Sequence, residues 1–396
     1  MHIKIDKIII SILILIIIIF SYIAVTNKIS PNKVEKKEVI KEEKVEENLI
    51  EDEDIKNSIF GKYYEKARRL VSNMTLDEKI GQLFLVIYEK EETENYSNYY
   101  PGGYMLYAKD LDKDSKEEMI EELKNLQNQN KYKLILGVDE EGGYVTRVSR
   151  YKIYRDEKFY SPKYYYEQGG YDLLEQIEKE KATLLKELGF NLNLAPVADL
   201  SSNEDDFIYS RSFSGDKEKT SEFIKNMVTY ANNNKINSCL KHFPGYGNNK
   251  DSHKKIVFDE RSYEEISNND YIPFKAGIEA KVPCILVSHN LVTSIDEDFP
   301  ASLSEKVHKE LREKLNFTGI IMTDELSMGA LDIFKKDRLA ATLALNAGND
   351  IIVTSDFLNM REELLNSYKS GIIKEETINK AVLRVIAWKY YSGILK

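Results

Sequence analysis

Eight short apolar runs recur between Leu83 and Thr354, and longer amphipathic stretches separate most of them. The runs are Leu83–Ile87, Gly103–Tyr107, Leu134–Val138, Leu192–Val197, Ser238–His242, Cys284–Ser288, Gly319–Thr323 and Asp350–Thr354. Helical patterns fill the intervals, at Ser115–Asn130, Leu173–Leu188, Asp216–Asn234, Tyr263–Ala280, Ser304–Leu315 and Asp337–Ala347. A strand that is apolar throughout must be covered on both faces, which calls for a parallel sheet flanked by helices. Eight such strands within about 340 residues predict an α/β fold closed into a (β/α)8 TIM-type barrel, a single catalytic domain. An open doubly wound sheet would want a glycine-rich phosphate loop after its first strand, and none follows Leu83–Ile87.

Polar residues fall where the apolar runs stop. Asp139 follows LILGV, Asp199 follows LAPVA, and Lys241-His242 follow SCL. His289 comes after CILVS, Asp324 after IIMT and Asp356 after IIVTS. In a barrel these strand ends converge on one face, where such enzymes keep their active sites. The pattern points to an enzyme without naming the reaction.

Composition narrows the class. Hydrophobic residues make up 42% of the 396-residue chain and charged residues 31%, which suits a folded body with a sizeable core. Acidic residues outnumber basic ones 66 to 56, for a net charge of −10, so nucleic acid has no electrostatic footprint here. The two cysteines, Cys239 and Cys284, sit inside apolar runs and read as buried free thiols, not as a disulfide or zinc framework.

The N-terminus is of another kind. Ile8 to Val25 run 18 residues without a charge behind Lys4 and Lys7. As a helix this reaches about 27 Å, close to a hydrocarbon core. Residues 1–30 therefore read as a signal-anchor, with a cleaved signal peptide as the alternative, and the rest as exported. Residues 31–55 hold five lysines and ten acidic residues and read as a charged, extended tether carrying half the net charge. The globular domain is assigned to 56–396, outside the cytoplasm and held at the cell membrane, or secreted if the leader is removed.

Four stretches carry chemistry. Lys241-His242-Phe243-Pro244-Gly245-Tyr246-Gly247 runs on to Asp251-Ser252-His253. Asp251 and His253 are two apart, so an extended loop can point both side chains one way, and a carboxylate beside imidazole suits a proton donor and acceptor near neutral pH. Asp324, in TDELSMG, ends a strongly apolar strand and is a candidate nucleophile or partner for a cationic transition state, as well as a helix N-cap. Glu325 beside it is the weaker candidate. Asp139 opens VDEEGG, with Arg147 beyond, where Gly-Gly allows close backbone approach to a ligand. Arg211, in SRSF, could hold an acyl carbonyl or carboxylate, or form an internal salt bridge.

Together KHFPGYG…DSH, TDELSMGA and VDEEGGYVTR resemble glycoside hydrolase family 3 in its β-N-acetylglucosaminidase branch. MTLDEKIGQLF, GGYMLY, NLAPVADL, PASLS and ALNAGNDIIV extend the match from about Ile55 to the C-terminus. The resemblance implies that Asp324 is the nucleophile of a retaining reaction, that His253 is the general acid/base, and that Asp251 is its dyad partner. It also implies that Asp139, Arg211, Lys241 and His242 hold sugar hydroxyls and the N-acetyl group. Three departures stand out: Tyr246 where the family commonly has His, Tyr144 where it has Arg, and a loop one residue shorter before His253.

The resulting expectation is an exo-acting β-N-acetylglucosaminidase that trims peptidoglycan fragments or related amino-sugar glycans, with neither metal nor organic cofactor. A β-glucosidase, a xylosidase or an N-acetylglucosaminide phosphorylase are alternatives within the family. A metal-dependent hydrolase using His242, His253, Asp324 and His289 would be a different class, but no His-x-His pair ends the first strand. A non-catalytic glycan-binding surface protein is disfavoured, because it would not need Asp324, Asp251 and His253 together.

Overall fold

The computed structural model describes residues 53–250, 256–327, 331 and 339–396. The proposed anchor, nearly all of the tether, and the Asp251/His253 pair lie outside them. Among the described residues no helix is long and apolar enough to cross a membrane.

Among the described residues ten strands form, β1 Phe84–Ile87, β2 Gly103–Leu106, β3 Ile135–Val138, β4 Leu192–Asn193, β5 Asn237–Phe243, β6 Phe258–Asp259, β7 Cys284–Val287, β8 Leu291–Val292, β9 Ile320–Glu325 and β10 Ile351–Thr354. Eight of them close into an all-parallel barrel in the order β1-β2-β3-β4-β5-β7-β9-β10, with Phe84 aligned to Ile352 at the closure. This is the expected (β/α)8 architecture. The remaining two, β6 and β8, pair with each other as a small parallel accessory on the loops. Every residue of β1, β2, β3, β7 and β10 is buried, as strands covered on both faces require. Cys239 and Cys284 are aligned partners on β5 and β7, both buried and free, and burial beside Cys239 pushes the Cys284 thiol up.

Several boundaries differ from the sequence expectation, each for a local reason. The fourth strand stops at Asn193 instead of Val197. The Asn193 side chain takes over the pairing with β3, accepting from Glu140 N at 2.9 Å and donating to Glu140 O at 3.1 Å. Pro196 then has no N–H to give a ladder. The helix expected from Leu173 begins at Pro162, after Ser161 caps it by accepting from Tyr164 N. It kinks at Gly169-Gly170, where Gly170 has φ 62°, so the glycines bend the helix without ending it. The Tyr263–Ala280 stretch breaks into Tyr263–Asn268 and Tyr271–Glu279, and the Ser304–Leu315 stretch winds its second half, Glu310–Lys314, as a π-helix. Ile55, assigned to the tether's last position, is fully buried inside a short helix, Glu53–Lys56, so the packed body begins before residue 56.

The C-terminal helix Glu375–Tyr391 packs across the N-terminal ends of the strands. Trp388 Nε1 donates to Asn237 Oδ1 at 3.0 Å, at the start of β5. Lys389 Nζ donates to Gln82 Oε1 at 2.7 Å and to Lys133 O at 2.9 Å, just before β1 and β3. That end of the barrel is closed, and the opposite, C-terminal end remains for chemistry.

Candidate active site

At the C-terminal face, β3 and β9 lie on opposite sides of the barrel, with β4, β5 and β7 between them one way and β10, β1 and β2 the other. Asp139 follows β3 and Asp324 sits near the end of β9, so the closed topology itself sets two carboxylates across the mouth from each other. β5 lies midway and supplies Lys241 and His242. A cavity of about 490 Å³ opens here, lined by Asp139, Glu141, Arg211, Lys241, His242 and Asp324, with Tyr107, Tyr144 and Arg147 at its wall. Five of the seven residues singled out in the sequence therefore meet in one cavity. The other two, Asp251 and His253, fall outside the described residues.

The floor is a chain of alternating charges. Lys241 Nζ bridges Asp139 Oδ1 and Glu141 Oε1, each at 2.6 Å. Glu141 also takes a two-pronged bond from Arg211, Nε to Oε2 at 3.0 Å and Nη2 to Oε1 at 2.8 Å. Arg211 Nη2 stands 3.2 Å from His242 Nε2, and His242 Nδ1 stands 2.8 Å from Asp199 Oδ2. Burial alone would raise the Glu141 carboxyl, yet the Arg211 and Lys241 cations hold it well below the usual carboxylate range. Burial pulls the His242 imidazole below its ordinary value; the Asp199 carboxylate works against that fall, and the Arg211 and Lys241 charges add to it.

These shifts fix roles. A neutral His242 that donates from Nδ1 to Asp199 presents an acceptor lone pair at Nε2, which the Arg211 N–H fills. With both nitrogens committed, His242 is a wall that orients Arg211 and not a proton shuttle. Tyr246, the departure noted in the sequence, is fully buried behind it, ring centroids 5.1 Å apart, and its N–H donates to Asp199 Oδ1 at 2.8 Å. The Lys241–His242 peptide is cis. Tyr144, the other departure, is 79% exposed and so stands at the rim.

Asp324 Oδ1 accepts the Glu325 N–H at 2.9 Å. Glu325 Oε1 is taken by Ser327 N, Ser355 N and Ser355 Oγ at 2.9 to 3.2 Å, which ties it to the end of β10. His289 is fully buried behind this strand end, Nδ1 2.7 Å from Ser302 Oγ and Nε2 3.0 Å from Glu325 O. It does not line the cavity with His242 and Asp324, and His253, the fourth member of the metal alternative, lies outside the described residues. Among the described residues no group of three His, Cys, Asp or Glu side chains is placed to hold a metal ion.

The loop after β3 is built to reach the mouth. Glu140 accepts from Arg147 N and Val148 N, both at 2.7 Å, and from Ser149 Oγ, pinning the loop from beneath. Gly142 and Gly143 have φ of 100° and 65°, conformations that side chains with a Cβ resist, and they turn the chain so that Tyr144 projects.

Sequence reasoning named neither Glu141 nor Asp199 nor Tyr107 as site residues. Asp199 and Tyr107 both fell at strand ends, and Glu141 lay inside the VDEEGG motif, so the signal was present. Burial drives the Tyr107 hydroxyl pKa up, and the Asp139, Asp324 and Glu325 carboxylates push it further. It stays protonated as a donor among three carboxylates.

The family described as "Glycosyl hydrolase family 3 N terminal domain" matches residues 75–388. A β-hexosaminidase of Haemophilus influenzae is 31% identical over 292 residues, 72% of this chain and 79% of the relative. Another, of Methylobacillus flagellatus, is 28% identical over 68% of this chain and 78% of the relative. Among solved structures, a glycoside hydrolase family 3 β-N-acetylglucosaminidase from Paenibacillus sp. superposes with a TM-score of 0.75 at 25% identity. That alignment covers 81% of this chain but 63% of the neighbour, whose chain extends beyond it. The match spans the barrel from before β1 into the C-terminal helix and includes every strand that feeds the cavity, and the chain accordingly belongs to glycosyl hydrolase family 3.

Proposed function

We propose that this glycoside hydrolase is a retaining, exo-acting β-N-acetylglucosaminidase that removes terminal N-acetylglucosamine from peptidoglycan fragments or related glycans. The observation that carries the reading is the placement of Asp324 across a closed-bottomed cavity from the Asp139–Lys241–Glu141–Arg211 network. A sugar ring seated on that network finds carboxylates and cations fixed as acceptors and donors for its hydroxyls and acyl group. Asp324 then attacks the anomeric carbon as the glycosidic C–O bond breaks, and His253, steadied by Asp251, gives its proton to the leaving oxygen. Water attacks the glycosyl ester, returns a proton to His253, and restores the original configuration. The commitment of both His242 nitrogens supports this division of labour, since it leaves proton transfer to another group. The chain acts outside the cytoplasm, held to the membrane through residues 1–30.

The test is a paired assay with chromogenic N-acetylglucosaminide and glucoside, with and without phosphate. The expected result is hydrolysis of the N-acetylglucosaminide, indifferent to phosphate and abolished by Asp324→Ala. Preference for the glucoside, a sugar phosphate product, or wild-type rates in Asp324→Ala would overturn it.

A further inference from the structure

The face that carries the cavity also carries an unusual patch of exposed aromatic rings. Tyr144 at the cavity wall is 79% exposed, Tyr160 40% and Tyr164 43%. A buried tyrosine needs no ligand to explain it, but a cluster of solvent-facing rings beside a cavity does. Tyr160 and Tyr164 lie with ring centroids 4.8 Å apart, and both rings rest on Tyr165, at 6.1 and 5.7 Å. The rings are held there, because Tyr160 N donates to the Tyr165 hydroxyl at 3.2 Å and Ser161 caps the helix that begins at Pro162.

The patch is continuous with the cavity through the backbone. Gly143 N donates to Phe159 O at 2.8 Å, and a Cβ on Gly142 would sit 2.4 Å from Tyr160 O. The loop that bears Tyr144 and the segment that bears Tyr160 are thus in contact. On the other flank, Lys163 Nζ lies 5.6 Å from the Tyr209 ring centroid, in the loop that delivers Arg211. Sugar rings present flat arrays of C–H bonds that pack on aromatic faces, while hydroxyls along the ring edges stay hydrated. A rim of tyrosines, apolar in the face and polar at the tip, matches that chemistry, and its continuity with the cavity ties it to the substrate bound there.

We infer that Tyr160 and Tyr164, continuing the rim from Tyr144, form a secondary glycan-binding surface that holds a polymeric β-linked amino-sugar strand whose terminal unit is in the cavity. This rests on the amino-sugar reading of the cavity and extends it from the residue cleaved to the strand behind it. It gives the enzyme a preference for long chains that a bare pocket lacks.

Two experiments test it with the full chain. Co-sedimentation of Asp324→Ala with insoluble β-1,4-linked poly-N-acetylglucosamine reads the surface without catalysis. Adding Tyr160→Ser and Tyr164→Ser should weaken that binding roughly tenfold. In the active enzyme the same two changes should lower kcat/KM for a hexasaccharide of N-acetylglucosamine about tenfold, through KM, and leave the chromogenic monosaccharide rate unchanged. Unchanged polymer binding, or equal losses on long and short substrates, would overturn the surface. Failure of the wild type on the chromogenic N-acetylglucosaminide would instead strike the cavity reading, and the polymer arm would still report on the tyrosines.

Discussion

Asp199 holds His242 from two sides, its Oδ2 accepting the backbone N–H at 3.1 Å and facing the ring Nδ1 at 2.8 Å. A third donor, Tyr246 N, takes the other oxygen. Asp199→Asn keeps the shape but offers one acceptor where three donors converge, so at least one buried N–H loses its partner, at a cost of roughly 1–3 kcal/mol. The imidazole is also released to turn, and Arg211 loses its fixed neighbour. Activity should fall about 10²-fold, the size of a misplacement of about 1 Å, while the pH–rate profile keeps its shape. A shifted limb in that profile would mean that His242 moves protons after all.

Glu141 is the anion that keeps two buried cations apart. Glu141→Gln leaves Arg211 without its carboxylate and Lys241 with Asp139 alone, and should cost about 3–5 kcal/mol in urea unfolding at neutral pH. The pH dependence follows from the sign of the shift. Its folded pKa is depressed, so the stability it contributes is complete above the unfolded value of about 4.3 and is lost as pH falls toward the folded one. Wild type should therefore lose stability on acidification more steeply than Glu141→Gln. Parallel slopes would place the charge balance elsewhere.

Among the described residues, His289 meets the strand that bears Asp324 through its backbone. Its Nε2 bonds the Glu325 carbonyl, in the peptide next to Asp324, and its Nδ1 meets Ser302. His289→Ala should lower kcat about 10²-fold with little change in KM, because the proposed nucleophile Asp324 is misplaced while the proposed sugar contacts from β3 and β5 are kept. Added imidazole should restore part of the loss by refilling the vacated cavity. A KM effect without a kcat effect would assign His289 to binding.

The barrel was legible because every strand showed an apolar run and six of the eight also showed a polar residue where the run ended. Asp139, Lys241, His242 and Asp324 were found by that second signal. Asp199 and Tyr107 gave the same signal and were passed over, since a strand-end position does not say whether a side chain faces the substrate or braces a neighbour. Glu141 was hidden by adjacency. In VDEEGG three carboxylates stand in a row, and the alternation of side chains along extended backbone sends Asp139 and Glu141 to Lys241 and Glu140 to the loop it pins. The β4 boundary and the Gly169-Gly170 kink were illegible for a different reason. A side-chain amide replaces a ladder bond because Glu140, far away in sequence, meets it, and a Gly-Gly pair reads equally well as a helix end or a bend.

Lys389 sits at the sealed end of the barrel, fully buried, with two oxygen acceptors and no carboxylate. Burial brings its pKa down to about 7, against an unfolded value of about 10.4. Between those values the unfolded chain binds a proton that the folded chain sheds, so folding stability should rise with pH across that window, by at most about 1.4 kcal/mol per unit. Lys389→Met removes the titration while keeping most of the volume. It also leaves Gln82 Oε1 and Lys133 O without a donor, so the variant should be less stable at pH 9.5, where the neutral amine still donates to both. Thermal unfolding of both proteins from pH 7 to pH 9.5 should show the wild type gaining on the variant at each step. Curves that run parallel would mean that the ammonium keeps its charge in the folded barrel.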